Sequence, residues 1–199
     1  MMHFALLVSG GIALTALASA ANAQWTVTNL HPAAGTRSVA YGAGVDQQVG
    51  SATVGGVGRA SLWTGTSASW VSLHPAGASR SYAIGGDGVQ QAGYATIGPI
   101  VGGVDHAGLW TGTAASWLDL HPAAGGYSVA YGVHGGQQVG YAAVANQERA
   151  SLWRGTAASW VDLSPAGSAW SIARGVGGGQ QVGAALVGAV GHASLWSGT

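Results

Sequence analysis

Residues 128–160 read SVAYGVHGGQQVGYAAVANQERASLWRGTAASW. Ser128, Ala130 and Gly132 alternate with Val129 and Tyr131, which places the three small residues on one face of a strand. A glycine turn follows, then a second apolar run from the Gln137-Gln138 pair. A third run ends in Ala150-Ser151-Leu152-Trp153, and Gly-Thr leads to Ser159-Trp160. The stretch predicts four short antiparallel strands in about forty residues, with turn chemistry between them.

The same text is written four times. Ser-x-Ala-x-Gly starts at Ser38, Ser81, Ser128 and Ser171, in steps of 43, 47 and 43 residues. Gln-Gln recurs at Gln47-Gln48, Gln90-Gln91, Gln137-Gln138 and Gln180-Gln181. Ala-x-Leu-Trp ends at Trp63, Trp110, Trp153 and Trp196, and Ser-Trp follows at Trp70, Trp117 and Trp160. The one long step comes from four extra residues around Pro99–Gly102. In the first copy the predicted strands are Ser38–Gly42, Gln47–Val54, Arg59–Trp63 and Ser69–Leu73. Four antiparallel strands per copy is the size of a β-propeller blade. The expected fold is therefore all-β and propeller-like, with blades near 37–74, 80–121, 127–163 and 170–199. The small-residue face lets neighbouring sheets approach closely, and the paired tryptophans supply apolar bulk.

Trp25 to Leu30 reads as a spare fourth strand, while the last copy stops on a third strand at Trp196. Shared in one blade, they would close a ring of four. The alternatives are part of a larger propeller, or a linear β-solenoid or open stack; an incomplete ring would allow an oligomer.

Six arginines, six acids and no lysine leave a formal net charge of zero over 199 residues. That excludes a basic footprint for nucleic acid and electrostatic attachment to anionic lipid. There is no cysteine, hence no disulfide, thiolate metal site or thiol nucleophile. Phe4 to Ala21 is apolar and small, and Ala21-Asn22-Ala23 offers a small-x-small cleavage pattern. Residues 1–23 read as a signal peptide. They place the repeat domain, 24–199, in the secreted or periplasmic compartment with no later membrane span.

The order Ser-x-Ala-x-Gly, Gln-Gln-Val-Gly-Tyr-Ala and (His/Arg)-Ala-x-Leu-Trp resembles the HAF-type extracellular repeat of bacteria, over essentially all of Trp25–Thr199. Those repeats typically carry Gln-Val-Val-Gly and then His-Ala-Phe-Leu-Trp. Here Ser61, Gly108, Ser151 and Ser194 stand in place of the Phe. The resemblance implies export, a repeat-built β-structure and a place at the cell surface, and no known reaction.

Candidate chemistry is sparse. His31, His74 and His121 precede Pro in three copies and Ser164 breaks the series. They read as loop caps rather than zinc ligands. Arg59, His106, Arg149 and His192 share one position before Ala-x-Leu-Trp and read as a structural contact. The acids, Asp46, Asp87, Asp105, Asp119, Glu148 and Asp162, show no spacing of a catalytic pair. The mature chain lacks a Gly-x-Ser-x-Gly elbow, so no catalytic residue, metal or cofactor is expected.

Positions that differ between copies are more informative. The residue before the repeated serine is Arg37, Arg80, Tyr127 or Trp170; the residue three after that serine is Tyr41, Ile84, Tyr131 or Arg174. All but Ile84 are planar groups suited to stacking or forked hydrogen bonding. They suggest a platform for an extracellular glycan or protein; the competing reading is that they fill the interfaces between blades. The expected function is a non-enzymatic structural or interaction module, with carbohydrate binding as the alternative and a hydrolase a remote third.

Overall fold

The computed structural model describes residues 25–198; the expected signal segment, 1–23, lies outside them. The described residues form fifteen strands in four antiparallel sheets, each in sequential order. The first sheet is β1 (Arg37–Gly44), β2 (Gln47–Val54), β3 (Val57–Trp63) and β4 (Val71–Ser72). The second is β5 (Ala78–Gly86), β6 (Gln91–Ile97), β7 (Val104–Trp110) and β8 (Leu118–Asp119). The third is β9 (Ser128–His134), β10 (Gln137–Val144), β11 (Gln147–Trp153) and β12 (Val161–Asp162). The fourth has three strands, β13 (Ser168–Gly177), β14 (Gln180–Val187) and β15 (Val190–Ser197). No helix among the described residues is long and apolar enough to cross a membrane.

The predicted fourth strand is shorter than its pattern suggested. Ser67–Ser69, Ala114–Ser116 and Ala157–Ser159 form single 3-10 turns instead, leaving two paired residues after each. Thr156 caps one of these turns, its Oγ1 accepting from the Ser159 amide. The Gly-Thr-x-x-Ser-Trp text is thus turn chemistry.

Among the described residues substantial packing runs only between successive sheets, and the first strands β5, β9 and β13 lie against the sheet before. The core repeats accordingly. Val49, Ala60, Leu62 and Leu73 meet Ala83, Trp110 and Trp117. Ala92, Ala107, Leu109 and Leu120 meet Ala130, Trp153 and Trp160. Val139, Ala150, Leu152 and Leu163 meet Ala173 and Trp196.

The small residues are what let first strands touch. A Cβ on Gly42 would come within 2.5 Å of the Ile84 carbonyl oxygen, and one on Gly85 within 2.6 Å of that of Tyr131. The serine of the motif is buried and acts across the junction. Ser81, Ser128 and Ser171 Oγ accept the amides of Ala60, Ala107 and Ala150 of the preceding sheet, each at 2.9 Å. A serine hydroxyl thus satisfies a buried N–H that the two-residue fourth strand does not reach.

The glutamine pairs form a second strap. Buried Gln91, Gln138 and Gln181 donate to Gln47, Gln90 and Gln137 of the previous sheet, at 3.0, 3.4 and 3.2 Å. Gln91 and Gln138 also accept the amides of Gly112 and Gly155 at 2.8 Å.

The expected ring closure through residues 25–30 is not made. That segment forms no strand, and Trp25 and Val27 are 93% and 97% exposed. The spacing also differs from that of the other copies. Three residues separate Trp70 from Leu73 and Trp160 from Leu163, whereas five separate Trp25 from Leu30. Counted back from Leu-His-Pro, Val27 holds the place of Trp70.

Candidate binding groove

Each first strand carries a β-bulge. Ala40 pairs with Gly50 and Gly42 with Val49, so Tyr41 is the extra residue. Ile84, Tyr131 and Arg174 hold the same place in β5, β9 and β13. The glycine of Gln-Gln-x-Gly makes room for the bulge. A Cβ on Gly50, Gly93, Gly140 or Gly183 would run into the carbonyl oxygen of Val39, Tyr82, Val129 or Ile172. Bulges re-aim side chains and recur beside functional sites. Here they turn the variable Tyr41, Ile84 and Tyr131 into one open groove of about 420 Å³, completed by Arg37, Tyr82 and Tyr94.

Tyr82 and Tyr94 are cross-strand partners, stacked with centroids 5.1 Å apart. From Tyr131 the aromatic band runs on to Tyr141 and then Tyr127, each step 5.8 Å between centroids. The Arg174 guanidinium lies 5.3 Å from the Tyr131 ring centre, within reach of its negative face. Tyr127 and Trp170 line an adjacent groove with Glu148, whose Oε1 accepts from the Tyr127 hydroxyl at 3.3 Å. Arg80 is held away, donating to Thr96 Oγ1 at 2.8 Å and lying 3.5 Å from Asp105. Of the seven sequence candidates, Arg37, Tyr41 and Tyr131 therefore share the groove and Arg174 stacks on its edge. Tyr127 and Trp170 serve a neighbouring one, and Arg80 packs. Tyr82, Tyr94 and Tyr141 are additions; period two from Arg80 reaches Tyr82, but the strand pairing that brings in Tyr94 has no local signature.

The Arg37 guanidinium gives the groove one positive charge, and the rest of its polar lining is phenol hydroxyl. Burial, with Asp105 nearby, pushes the Tyr94 phenol up to about 12. Burial also raises Tyr141, helped by Tyr131 and Glu148. Both remain hydroxyl donors over the physiological range.

Comparison with protein-family models, with curated sequences and with solved structures finds no match for this chain. Geometry alone carries the assignment of roles.

Several of the remaining polar residues are engaged elsewhere. His106 and Arg149 reach Asp119 and Asp162 of the short fourth strands at 2.7 and 2.9 Å; Arg59, at the same position in the first copy, has a buried Nε without a hydrogen-bond partner. Asp87 accepts the amides of Val89 and Gln90 in its turn. Among the described residues no group of three or more His, Asp or Glu side chains is placed to share a metal.

The Leu-His-Pro histidines cap loops. Nδ1 of His31, His74 and His121 lies 2.9, 2.8 and 2.8 Å from the Oγ of Ser38, Ser81 and Ser128. Nε2 of His31 and His121 meets the Gly35 and Gly125 carbonyls at 3.0 and 3.1 Å. A carbonyl only accepts, so Nε2 carries the proton and Nδ1 accepts from the serine. The chain Ala107 N–H to Ser128 to His121 to Gly125 is satisfied by the neutral ring. Where serine replaces histidine, Ser164 Oγ reaches Ser171 Oγ at 2.8 Å.

Burial is the main cause that lowers the pKa of His74 and of His121, with Arg59 and His106 respectively adding to it. The unfolded chain therefore binds protons first as pH falls below about 6.5. Stability from these rings is fully present above that pH and declines below it, down to the folded-state values. The thermal midpoint should fall between pH 7.5 and pH 5.5. The double variant His74→Ser/His121→Ser, which copies the fourth repeat, should flatten that dependence; an unchanged slope in melts at the two pH values would show that the rings do not titrate this way.

Proposed function

We propose that this chain is an exported, non-enzymatic interaction module whose recognition surface is the tyrosine groove. The observation that carries the reading is the convergence of Arg37, Tyr41, Tyr82, Ile84, Tyr94 and Tyr131 on one open cleft, built from bulge residues that vary between otherwise uniform copies. The resemblance to HAF-type repeats and the apolar N-terminal stretch support export.

The groove fits a neutral, extended glycan. Tyrosine faces carry negative charge density that suits polarised C–H groups of a sugar ring, while phenol hydroxyls and Arg37 offer hydrogen bonds. Its acidic neighbours are engaged: Asp105 accepts from Thr96, and Glu148 from Tyr127. That engagement favours binding over turnover.

Titration with neutral oligosaccharides, followed by intrinsic fluorescence, should give a saturable change. Tyr41 is 48% exposed, so Tyr41→Ala should keep the fold and weaken binding about five- to tenfold, the worth of one aromatic contact. No saturable change with any oligosaccharide would refute the glycan assignment. Binding unaffected by Tyr41→Ala would place it elsewhere on the molecule.

A further inference from the structure

We infer that copies of this chain join head to tail, the front of the fourth sheet of one copy receiving β1 and the preceding segment of the next. The two open ends are the two halves of a junction that the chain builds three times internally.

On the receiving side, Leu195 is 60% exposed, whereas Leu62, Leu109 and Leu152 at the same position are at most 6% exposed. Val182 is 49% exposed where Val49, Ala92 and Val139 are fully buried. On the inserting side, Ala40 is exposed where Ala83, Ala130 and Ala173 are buried. Leu195, Val182 and Ala40 are uncharged and small or aliphatic, and at the internal junctions residues of the one side cover those of the other.

Hydrogen bonding and strand count agree. Ala193 holds the place of Ala60, Ala107 and Ala150, whose amides the motif serines accept, yet no serine of the described residues takes its N–H. Ser38 has its histidine but no such amide. Among the described residues the fourth sheet lacks the short strand that β4, β8 and β12 supply to the others. In those sheets that strand always runs straight into the first strand of the next sheet. Residues 25–30 stand in that place before β1 and are unpaired.

The junction half is already shaped. Asn29 Oδ1 accepts the His31 amide at 2.8 Å, as Asp119 does for His121 and Asp162 for Ser164. The turn at Asn29–His31 is thus ordered before docking. An interface between unlike surfaces propagates into a ring or a filament, not an isolated two-fold dimer.

Two variants test this on the full chain by sedimentation. Ala40→Asp blocks only the inserting face and Leu195→Asp only the receiving face; both sites are exposed in the single copy, so the internal core is untouched. The wild-type chain should show masses that are multiples of one copy. Each variant alone should sediment as a single copy. Their equimolar mixture should give one mixed dimer and nothing larger, because each supplies the face the other retains. That dimer also reports that both variants are folded. A wild-type chain that stays a single copy at every concentration would overturn the inference. So would association that survives in each variant alone, or variants that fail to pair when mixed.

Discussion

Gly85→Ala should lower the thermal midpoint by about 6–12 °C, while the same change at Gly175 should move it by no more than about 2–4 °C in the dilute single copy. Both glycines close the same Ser-x-Ala-x-Gly motif. At Gly85 a Cβ would sit 2.6 Å from the Tyr131 carbonyl oxygen and 3.0 Å from Gly132 Cα, both backbone atoms of the next sheet. Backbone cannot rotate away as a side chain can, so the second and third sheets would have to part. Such overpacking costs about 3 kcal/mol, the upper part of its usual range. At Gly175 no following sheet exists among the described residues, and a Cβ meets only a Val182 methyl at 3.2 Å. Neither glycine has a positive φ, so strain does not confound the pair. Calorimetry on the two variants measures the difference directly. Equal effects would mean that the glycine serves its own strand rather than the junction.

Trp153→Ala should be costlier still, about 4 kcal/mol or 8–16 °C. Trp153 is fully buried and joins Leu109, Ala130 and Ala142 in the largest core cluster. Its removal opens a cavity between two sheets whose other residues are mostly alanine, with little side chain to collapse into it. Its Nε1 has no hydrogen-bond partner among the described residues. Trp153→Phe therefore forfeits volume only, and should recover most of the loss. Trp160 behaves differently because its Nε1 donates to Ser151 Oγ at 2.8 Å. Trp160→Phe should cost about 1 kcal/mol for that bond. Urea unfolding of the three variants separates the two uses of tryptophan. A Trp153→Ala protein as stable as the wild type would mean that the sheets are not held by this core.

The repeat was legible because each sheet needs the same few residues in the same place. Ser81, Gly85, Gln91 and Trp110 recur in kind since every junction asks the same of them. The bulges were not legible. An inserted residue leaves the apolar spacing of one strand nearly unchanged and shows only in its pairing with the next, as Tyr41 shows against Val49 and Gly50. Missing the bulge meant missing why Gly50 and its counterparts are glycine. Tyr41 and Tyr131 were found by their variation between copies. Tyr94 was not, because its place in the groove depends on register with Tyr82, which the turn between two strands sets. Arg80 looked equivalent to Arg37, but Thr96 and Asp105, present together only in the second copy, take it out of the groove. Residues 25–30, expected as the strand that closes a ring, are unpaired, and Val27 rather than Trp25 holds the place of Trp70.

Amide hydrogen exchange on the dilute chain tests the central claim, that four like sheets stack through their first strands, most directly. The amides of Ala60, Ala107 and Ala150 point out of their own sheets and are held only by Ser81, Ser128 and Ser171 of the next. The account predicts strong protection at these three alanines and fast exchange at Ala193. Exchange at Ala60, Ala107 and Ala150 as fast as at Ala193 would contradict it, because the sheets would then not be joined where the repeated serine says they are.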